Sequence, residues 1–588
     1  MNVHISTATT NSALGRFSGR LWLEPDPLPP DGPLFHGDPL LHAILARRLR
    51  DPAEAAEFLD DRPSATPDPT LLPGLPEAVA RVAHALRRGE AIGIFGDYDT
   101  DGVTSAAVLT LALRAASGGT QPLAVRLPRR SEGYGLSCKG VDDLAAAGAQ
   151  LLIAVDCGSR DHEAVAHARE RGLDVIILDH HRLIEEPPQS AIIASALLQA
   201  EGPYHGVSAA GIAYLFAIAL AREGFNTGDG IGEPPRSLLD LAMIGLVGDV
   251  CPLVGVTRRM VRDGLSTIRQ SARPGLTALC ASAGIERGSL TSSDVAFMIS
   301  PRLNAPGRLD DPWPAFELLV SGSRHEAEEL ARVTETSNRK RKDLLDRIIM
   351  KIETQLAADQ RLLDRRVLVF ADEGWEAGIV GLAASKLSDR FDRPVVVLAL
   401  ADGEARGSAR SIAGFDITAA LTDLTPLLTR HGGHERAAGL SLPGANIGDL
   451  DDALQEAIAG SDARLPGPGT VRIDAELPED RMTVRDARTL QLLEPVGEGN
   501  PQPTLKLSRL PLRSYTTMGR ERQHLKIQLG RGFSQVDAVL WNGASRSREL
   551  FDTRYVDIAG SLEINTWNGN ERAQVRISDF RPAEGQVG

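Results

Sequence analysis

The 588-residue chain is poor in cysteine, poor in aromatics and has no excess of positive charge. Each shortage closes off a class of protein. Its four cysteines, Cys138, Cys157, Cys251 and Cys280, form no CxxC pair and no ladder of close spacings, which argues against a zinc ribbon or disulfide scaffold and for a reducing, cytoplasmic setting. Lys plus Arg number 64 against 78 Asp plus Glu, a net charge of −14, so a polyanionic partner must be held by local basic patches or metal ions. No apolar run suits a bilayer, since the longest uncharged stretch, 202–221, carries Pro203, His205 and Ser208. The first twenty residues lack the apolar core of a secretory signal. What is present, 42% hydrophobic and 24% charged residues over this length, is enough for several cores and excludes wholesale disorder.

Residues 1 to 78 read as a proline-rich lead-in around one helical stretch from Pro39 to Asp60, packed on the core that follows. From about 80 to 182, helices alternate with short apolar runs ending in acids: AIGIFGD (91–97), LLIAVD (151–156) and VIILDHH (175–181). That alternation predicts βαβ units around a parallel sheet, with the acids collected along one edge. Residues 205–300 read as mostly helical, and 323–358 as one long polar helix containing the basic run Arg339, Lys340, Arg341 and Lys342. A second α/β pattern fills about 365–460, with strands in RVLVFAD and PVVVLAL and glycine-rich turns in GSARS (407–411) and HGGHERAAG (431–439). After the linker ARLPGPG, the segments HLKIQLG, QVDAVLW, YVDIAGSLEIN and AQVRISDF alternate with period two and predict a small closed barrel.

The densest chemistry lies in FGDYDTDG (95–102), where Asp97, Asp99 and Asp101 alternate. Three carboxylates so close repel one another unless cations neutralise them. A calcium loop of EF-hand type is a rival, but it requires Glu at its twelfth position, which is Val108 here, and a helix in front. The plainest alternative is a solvated acidic turn. It weakens because the next two strands end alike: Asp156 closes one, and Asp179, His180 and His181 close the other, so all converge at the carboxyl edge where α/β sites form. Asp249, in GLVGDVCPL, follows a helix within a Gly-bounded turn; on its own it is as good an N-cap as a ligand. Carboxylates with imidazole and no thiolate suit Mn²⁺ or Mg²⁺, and five acids with two histidines are enough for two ions sharing a carboxylate. Phosphoester hydrolysis is the expected chemistry.

In order and spacing, FGDYDTDG, AVDCG, ILDHH and GLVGDVCPL resemble the motifs of the DHH phosphoesterase superfamily. PRLNAPGRLDD (301–311), GIVGLAASKL (378–387), GSARS, RHGGHERAAG and LLEPVGEGNPQP (492–503) narrow the likeness to its single-strand-specific exonucleases of RecJ type, over nearly the whole chain. The resemblance implies an α/β multidomain protein: a parallel-sheet DHH catalytic core at 79–322, a connecting helix at 323–358, a DHH-associated domain at 359–463 and an OB-type barrel at 464–588. It implies two divalent ions, Mn²⁺ preferred or Mg²⁺, one held by Asp97, Asp99 and Asp156 and the other by Asp101, Asp156, His180 and Asp249. His181 would touch the scissile phosphate, and Asp179 would orient the imidazoles. Position 95, His in some members, is Phe here, and Asp97 is expected to supply the missing ligand.

DNA contacts are expected from Arg130, Arg302, Asn304 and Arg308, and from Ser408, Arg410, Gly432, Gly433 and His434, whose glycine-loosened turns can cradle an anion; the resemblance implies that the 5′ end of the strand is gripped there. Ion pairing of the arginines with acids such as Asp310 and Asp311 is the structural alternative. In the barrel, Arg513, Arg520, Arg522 and Lys526 would line a groove, with Tyr515 or Trp541 stacking on bases; that Trp541 and Trp567 merely fill the barrel is the competing reading. The implied function is 5′ to 3′ removal of mononucleotides from single-stranded DNA in recombination and repair. A RecQ-type helicase and a single-strand-binding protein are the expected partners, and the chain is expected to act as a monomer, away from membranes. A small-molecule phosphoesterase and a metal-free replication component of the same superfamily stand as the rivals.

Overall fold

The structure is a computed structural model that describes residues 20–29, 32–62, 67–183, 186–461, 470–519, 521–531, 535–567 and 570–583. These form two compact units. One takes the described residues up to Arg62, those from 470 to Glu494 and those from Pro501 onward; the other takes the residues between, together with Pro495–Asn500.

The second unit is built on a five-stranded, all-parallel sheet ordered Leu123–Arg126, Ile92–Phe95, Leu151–Val155, Asp174–Leu178 and Ile192–Ala194. Its strands are apolar throughout because both faces are covered. Ile94, Ile153, Val155, Ile176 and Leu178 join the core formed with helices Leu75–Arg88, Thr100–Ala116, Ala209–Arg222 and Leu239–Gly248. Phe95, Leu152, Ala154, Val175 and Ile177 face the other way, toward helices Cys138–Ala146 and His162–Glu170. Phe95 is therefore a packing residue, with its ring against Gly140. Register aligns Phe95 with Ala154 and Val155 with Leu178, so the acids that follow each strand emerge side by side.

The 35-residue helix Arg324–Ala358 connects this core to a second sheet, spanning about 52 Å at the usual rise per residue. Ala327 and Ala331 bury in the core of the parallel sheet, whereas Ile348, Ile349, Ile352 and Leu356 bury in the next one. The second sheet runs Arg430–His434, Ala437–Pro443, Glu404–Arg410, Val395–Ala401 and Leu368–Asp372, with only the last pair parallel. GSARS and HGGHERAAG, expected as turns, thus lie largely in strands: Ser408 pairs with Gly439 and Gly432 with Gly439 in one row across the sheet. Helix Ala377–Phe391 covers one face.

In the other unit, Leu505–Met518, His524–Leu529, Val536–Leu540, Asn570–Pro582 and Tyr555–Trp567 close into a five-stranded barrel, the last pairing back onto the first. The expected helix 39–60 is two helices, Pro39–Arg48 and Pro52–Leu59. The Asp51 side chain accepts from Glu54 N–H to cap the second, and Pro52 has no N–H with which to continue the first. Their partner also differs from expectation. Leu40, Leu41, Ile44, Leu45 and Ala55 lie in the core of the barrel, with Leu507, Ile527 and Val556, rather than on that of the parallel sheet. Among the described residues no helix is long and apolar enough to cross a membrane.

Leu41 is wholly buried there. Leu41→Ala should cost the terminal unit about 2–5 kcal/mol. Calorimetry is expected to show a lowered transition for that unit and an unmoved one for the other unit.

Candidate metal centre and anion pocket

The acids converge because the backbone at each strand end is specially shaped. After Phe95 the chain turns so that the start of helix Thr100–Ala116 lies on Asp97. A Cβ at Gly102 would sit 2.6 Å from the Asp97 backbone, so only glycine fits. Asp99 caps this helix, its Oδ1 accepting from the N–H groups of Asp101 (3.0 Å) and Gly102 (3.1 Å), which leaves Oδ2 for another partner. Asp101 is buried and receives Ser208 Oγ (2.7 Å) and the N–H groups of Ala209 (2.8 Å) and Ala210 (3.0 Å), at the start of helix Ala209–Arg222. Asp156 adopts φ 62°, a left-handed conformation rare outside glycine, immediately after its strand. Asp249 ends helix Leu239–Gly248 as its C-cap, not an N-cap.

Ligand atoms of Asp97, Asp99 and Asp156 lie within 4.8 Å of one another, as do those of Asp101, His180 and Asp249, and those of Asp156, His180 and His181. His180 sits at the junction, with Nε2 3.1 Å from Asp156 Oδ1 and 3.8 Å from Asp101 Oδ2, and Nδ1 3.7 Å from Asp249 Oδ2. Asp179 stands behind them, accepting from the N–H groups of His180 (2.8 Å) and His181 (3.1 Å) and paired with His181 Nδ1 at 2.8 Å.

Burial first, and neighbouring carboxylates second, push Asp97 and Asp156 far above the usual carboxylate range. Burial also raises Asp101, and raises Asp249 to about 8. Burial lowers His180, keeping it neutral and able to ligate. For Asp179, burial is outweighed by donation from His181 and Ser159, which holds it well below the usual range. Asp97 Oδ1 is buried without a hydrogen-bond partner. An orphaned carboxylate oxygen among crowded buried acids, with oxygen and imidazole donors and no thiolate, fits hard divalent cations.

Beside this cluster lies a group of cationic side chains that could receive an anion. Arg130 donates from Nε to Gly307 O at 3.2 Å and lies over the Tyr98 ring, 4.4 Å from its centroid. A Cβ on Gly378, in the first turn of helix Ala377–Phe391, would meet Arg308 O and Arg130 Cδ; one on Gly381 would meet Ser408 Oγ and Arg410 Nη2. One helix turn thus gathers Arg130, Arg308, Ser408 and Arg410 from both domains of this unit. Burial, then repulsion from Arg130, lowers Arg308 to about 10, and burial lowers Arg410.

Other expected contacts fall elsewhere. Arg302 is buried and paired with Glu335 of the connecting helix at 2.8 Å, so it is spent on structure. Asn304 Oδ1 accepts from Thr100 N–H at 2.8 Å, so it braces the Asp97–Asp101 loop. Gly432, Gly433 and His434 are strand residues at the sheet edge, on the row that leads to Ser408, rather than parts of a turn. Of the basic run, Arg339 pairs with Glu335 and Arg341 with Asn338. In the barrel, Lys526 is paired with Asp537 and Arg513 donates to Gly530 O, while Tyr515 and Trp541 are exposed, which removes the filling role for Trp541. Arg520 and the Trp567 side chain lie outside the described residues. One residue escaped the sequence reading: Tyr134, whose hydroxyl lies 3.0 Å from His181 Nε2 and donates to Asp156 O at 3.2 Å. Its flanking glycines, Gly133 and Gly135, both with positive φ, were the available signal of a specially aimed side chain.

Family models match three stretches: the DHH family N-terminal domain at 91–246, the DHHA1 domain at 364–460 and the RecJ OB domain at 473–579. The single-stranded-DNA-specific exonuclease RecJ of Bacillus subtilis is 34% identical over 559 residues, 94% of this chain and 69% of that protein. That of Escherichia coli is 33% identical, over 87% of this chain and 91% of that protein.

The chain belongs to the RecJ family of single-stranded-DNA-specific exonucleases.

The crystal structure of the Thermus thermophilus RecJ in complex with Mn²⁺ superposes with a TM-score of 0.77 at 29% identity, over 97% of this chain and 81% of that one. The Mg²⁺ complex of the same RecJ gives 0.70 at 28% identity, over 97% and 80%. A metal-dependent nuclease on a DHH, DHHA1 and OB framework is the result.

The raised carboxylates carry a linkage consequence. By pH 6.5 unfolded carboxyls have lost their protons, whereas folded Asp249 keeps its own until about 8. The folded state then binds more protons, so metal-free stability falls as pH rises from about 6.5 to 8. Thermal melts in chelator should show that fall, and saturating Mn²⁺ should abolish it; a flat or rising chelator profile would count against the buried cluster.

Proposed function

We propose that this chain degrades single-stranded DNA from the 5′ end, releasing 5′-mononucleotides by metal-assisted phosphodiester hydrolysis, as part of recombination and repair. The observation that carries the reading is the adjacency of the acid and imidazole cluster to the cationic group of Arg130, Arg308, Ser408 and Arg410: Arg130 lies over Tyr98, between Asp97 and Asp99, and Arg308 feels the Asp99 charge. One group of residues suits the phosphate being cut, and the other suits the phosphate at the end of the strand.

Asp97, Asp99 and Asp156 would hold one ion and Asp101, Asp156, His180 and Asp249 another, Mn²⁺ or Mg²⁺, which supply Lewis-acid polarisation of the phosphate and an activated water. The surrounding residues do the positioning. Asp179, acceptor to His181 Nδ1, fixes the ring, and the Tyr134 hydroxyl, 3.0 Å from Nε2, aligns the nitrogen that would meet the scissile phosphate. Arg308 and Arg410, partly stripped of water and short of acidic partners among the described residues, gain most when a phosphate completes their coordination. Since the cationic group adjoins the cutting site, the bond within reach is the one next to the strand end, which favours single-nucleotide release over internal cleavage. The barrel, with Tyr515 and Trp541 exposed, suits the trailing single strand. A helicase that frees such a strand and a protein that coats it are the expected partners, with the chain acting as a cytoplasmic monomer.

Digestion of a strand labelled at either end, with Mn²⁺, Mg²⁺ or chelator, tests polarity, metal need and product size together. The 5′ label should leave first, as a mononucleotide, and only with metal; earlier loss of the 3′ label would reverse the reading. Asp156→Ala should lose more than the roughly 10- to 100-fold typical of residues one shell further out. Arg410→Ala, which removes a charged hydrogen bond worth about 1.5–3 kcal/mol, should lose about ten- to a hundredfold on 5′-phosphorylated strands.

A further inference from the structure

The chain leaves the terminal unit after Glu494, contributes Pro495–Asn500 to the catalytic unit and returns at Pro501. This hexapeptide is seated, with most of its polar groups assigned. Pro495 O accepts from Arg258 Nη1 at 2.8 Å and from Asn500 Nδ2 at 2.8 Å. Val496 exchanges hydrogen bonds with the fully buried hydroxyl of Ser292, its O accepting at 2.7 Å and its N–H donating at 2.9 Å. Gly497 and Asn500 bond to each other through their backbones. Glu498 O accepts from Leu253 N–H at 2.7 Å, and a Cβ on Gly499 would meet Val254 and Pro252.

Leu253 and Val254 close the turn that begins at Asp249. Within that turn, Val250 takes φ 58°, the left-handed position after a helix that usually falls to glycine. A β-branched residue is disfavoured there and stays only where its surroundings over-determine the backbone. On the N-terminal side the turn is set by the helix itself, through Asp249 N–H to Gly245 O and Cys251 N–H to Leu246 O. On the other side, the backbone bond from Leu253 goes to the hexapeptide.

We propose that Pro495–Asn500 is a positioning clamp for the Asp249 turn. By fixing Leu253 and Val254, it keeps the Val250 link in its disfavoured conformation and sets the Asp249 carboxylate opposite His180. Metal retention in the catalytic unit then depends on residues encoded between elements of the terminal unit. The inference rests on the reading of Asp249 as a metal ligand.

The test uses full-length protein in three forms: 495–500 replaced by a Gly-Ser stretch of equal length, the milder pair Gly499→Ala and Ser292→Ala, and Asp249→Asn as reference. Mn²⁺ binding is read from the paramagnetic resonance signal of free Mn²⁺, and strand binding from fluorescence anisotropy in chelator. The clamp variants should weaken one Mn²⁺ site by about 10- to 100-fold, as loss of an outer support does, and leave the other site and strand binding unchanged. Wild-type affinity at both sites in the clamp variants, alongside loss of one in Asp249→Asn, would overturn the clamp alone. Both sites intact in Asp249→Asn would overturn the ligand reading beneath it. Equal weakening of both sites would mark general destabilisation and also overturn the clamp.

Discussion

Mutual repulsion of buried carboxylates organises this molecule. Asp97, Asp101 and Asp156 are almost completely removed from water with oxygens of other acids within 4.8 Å, an arrangement that costs folding energy in the absence of cations. The sheet is rigid enough to impose it because both of its faces are packed and its strands hold a strict parallel register. Much of the local chemistry around the acids moderates that cost without removing it. Asp99 spends one oxygen on a helix cap, Asp101 receives three donors at a helix start, and Asp179 is saturated by amides and imidazole. What remains uncompensated, Asp97 and Asp156 above all, is where a cation is worth most.

The cationic group is the electrostatic counterpart of that cluster. Among the described residues, Arg308 and Arg410 are desolvated without close acidic partners, whereas Arg302, a few residues from Arg308, is neutralised by Glu335. The distinction is functional in kind. A paired buried arginine stabilises the joint between helices, while an unpaired one stores a preference for an anion that the protein does not itself supply. With a net charge of −14 the chain has no general attraction for DNA, so affinity has to come from such local sites.

The metal cluster was legible because its signal is one-dimensional: short apolar strands that each end in acids declare both the sheet and its active edge. Residues whose chemistry is ambiguous were less legible. Arginine and asparagine in PRLNAPGR suit phosphate by type, yet Arg302 and Asn304 are recruited by Glu335 and by the Thr100 amide, partners that no spacing in the sequence reveals. The strand Leu505–Met518 was hidden for a different reason. Pro511, a left-handed Arg509 and two register shifts break its period of two. The partner of helices Pro39–Arg48 and Pro52–Leu59 was hidden because an amphipathic stripe shows that a face is buried but not against what.

The hexapeptide Pro495–Asn500 belongs to that last class, since its sequence shows a glycine-bearing connector but not what it is fitted against. Had it been a passive connector, its glycines could face solvent and its carbonyls could bind water. Instead Val496 is locked to a buried serine, and Gly499 lies where a side chain would press on the turn after Asp249. Such close fitting against Pro252, Leu253 and Val254, just beyond the left-handed Val250, ties the hexapeptide to that turn. The adjacent residue proposed as a metal ligand is Asp249, whose carboxylate faces His180. On this argument the proposed clamp acts through backbone geometry, from six residues that the chain places in the catalytic unit between two segments of the terminal one.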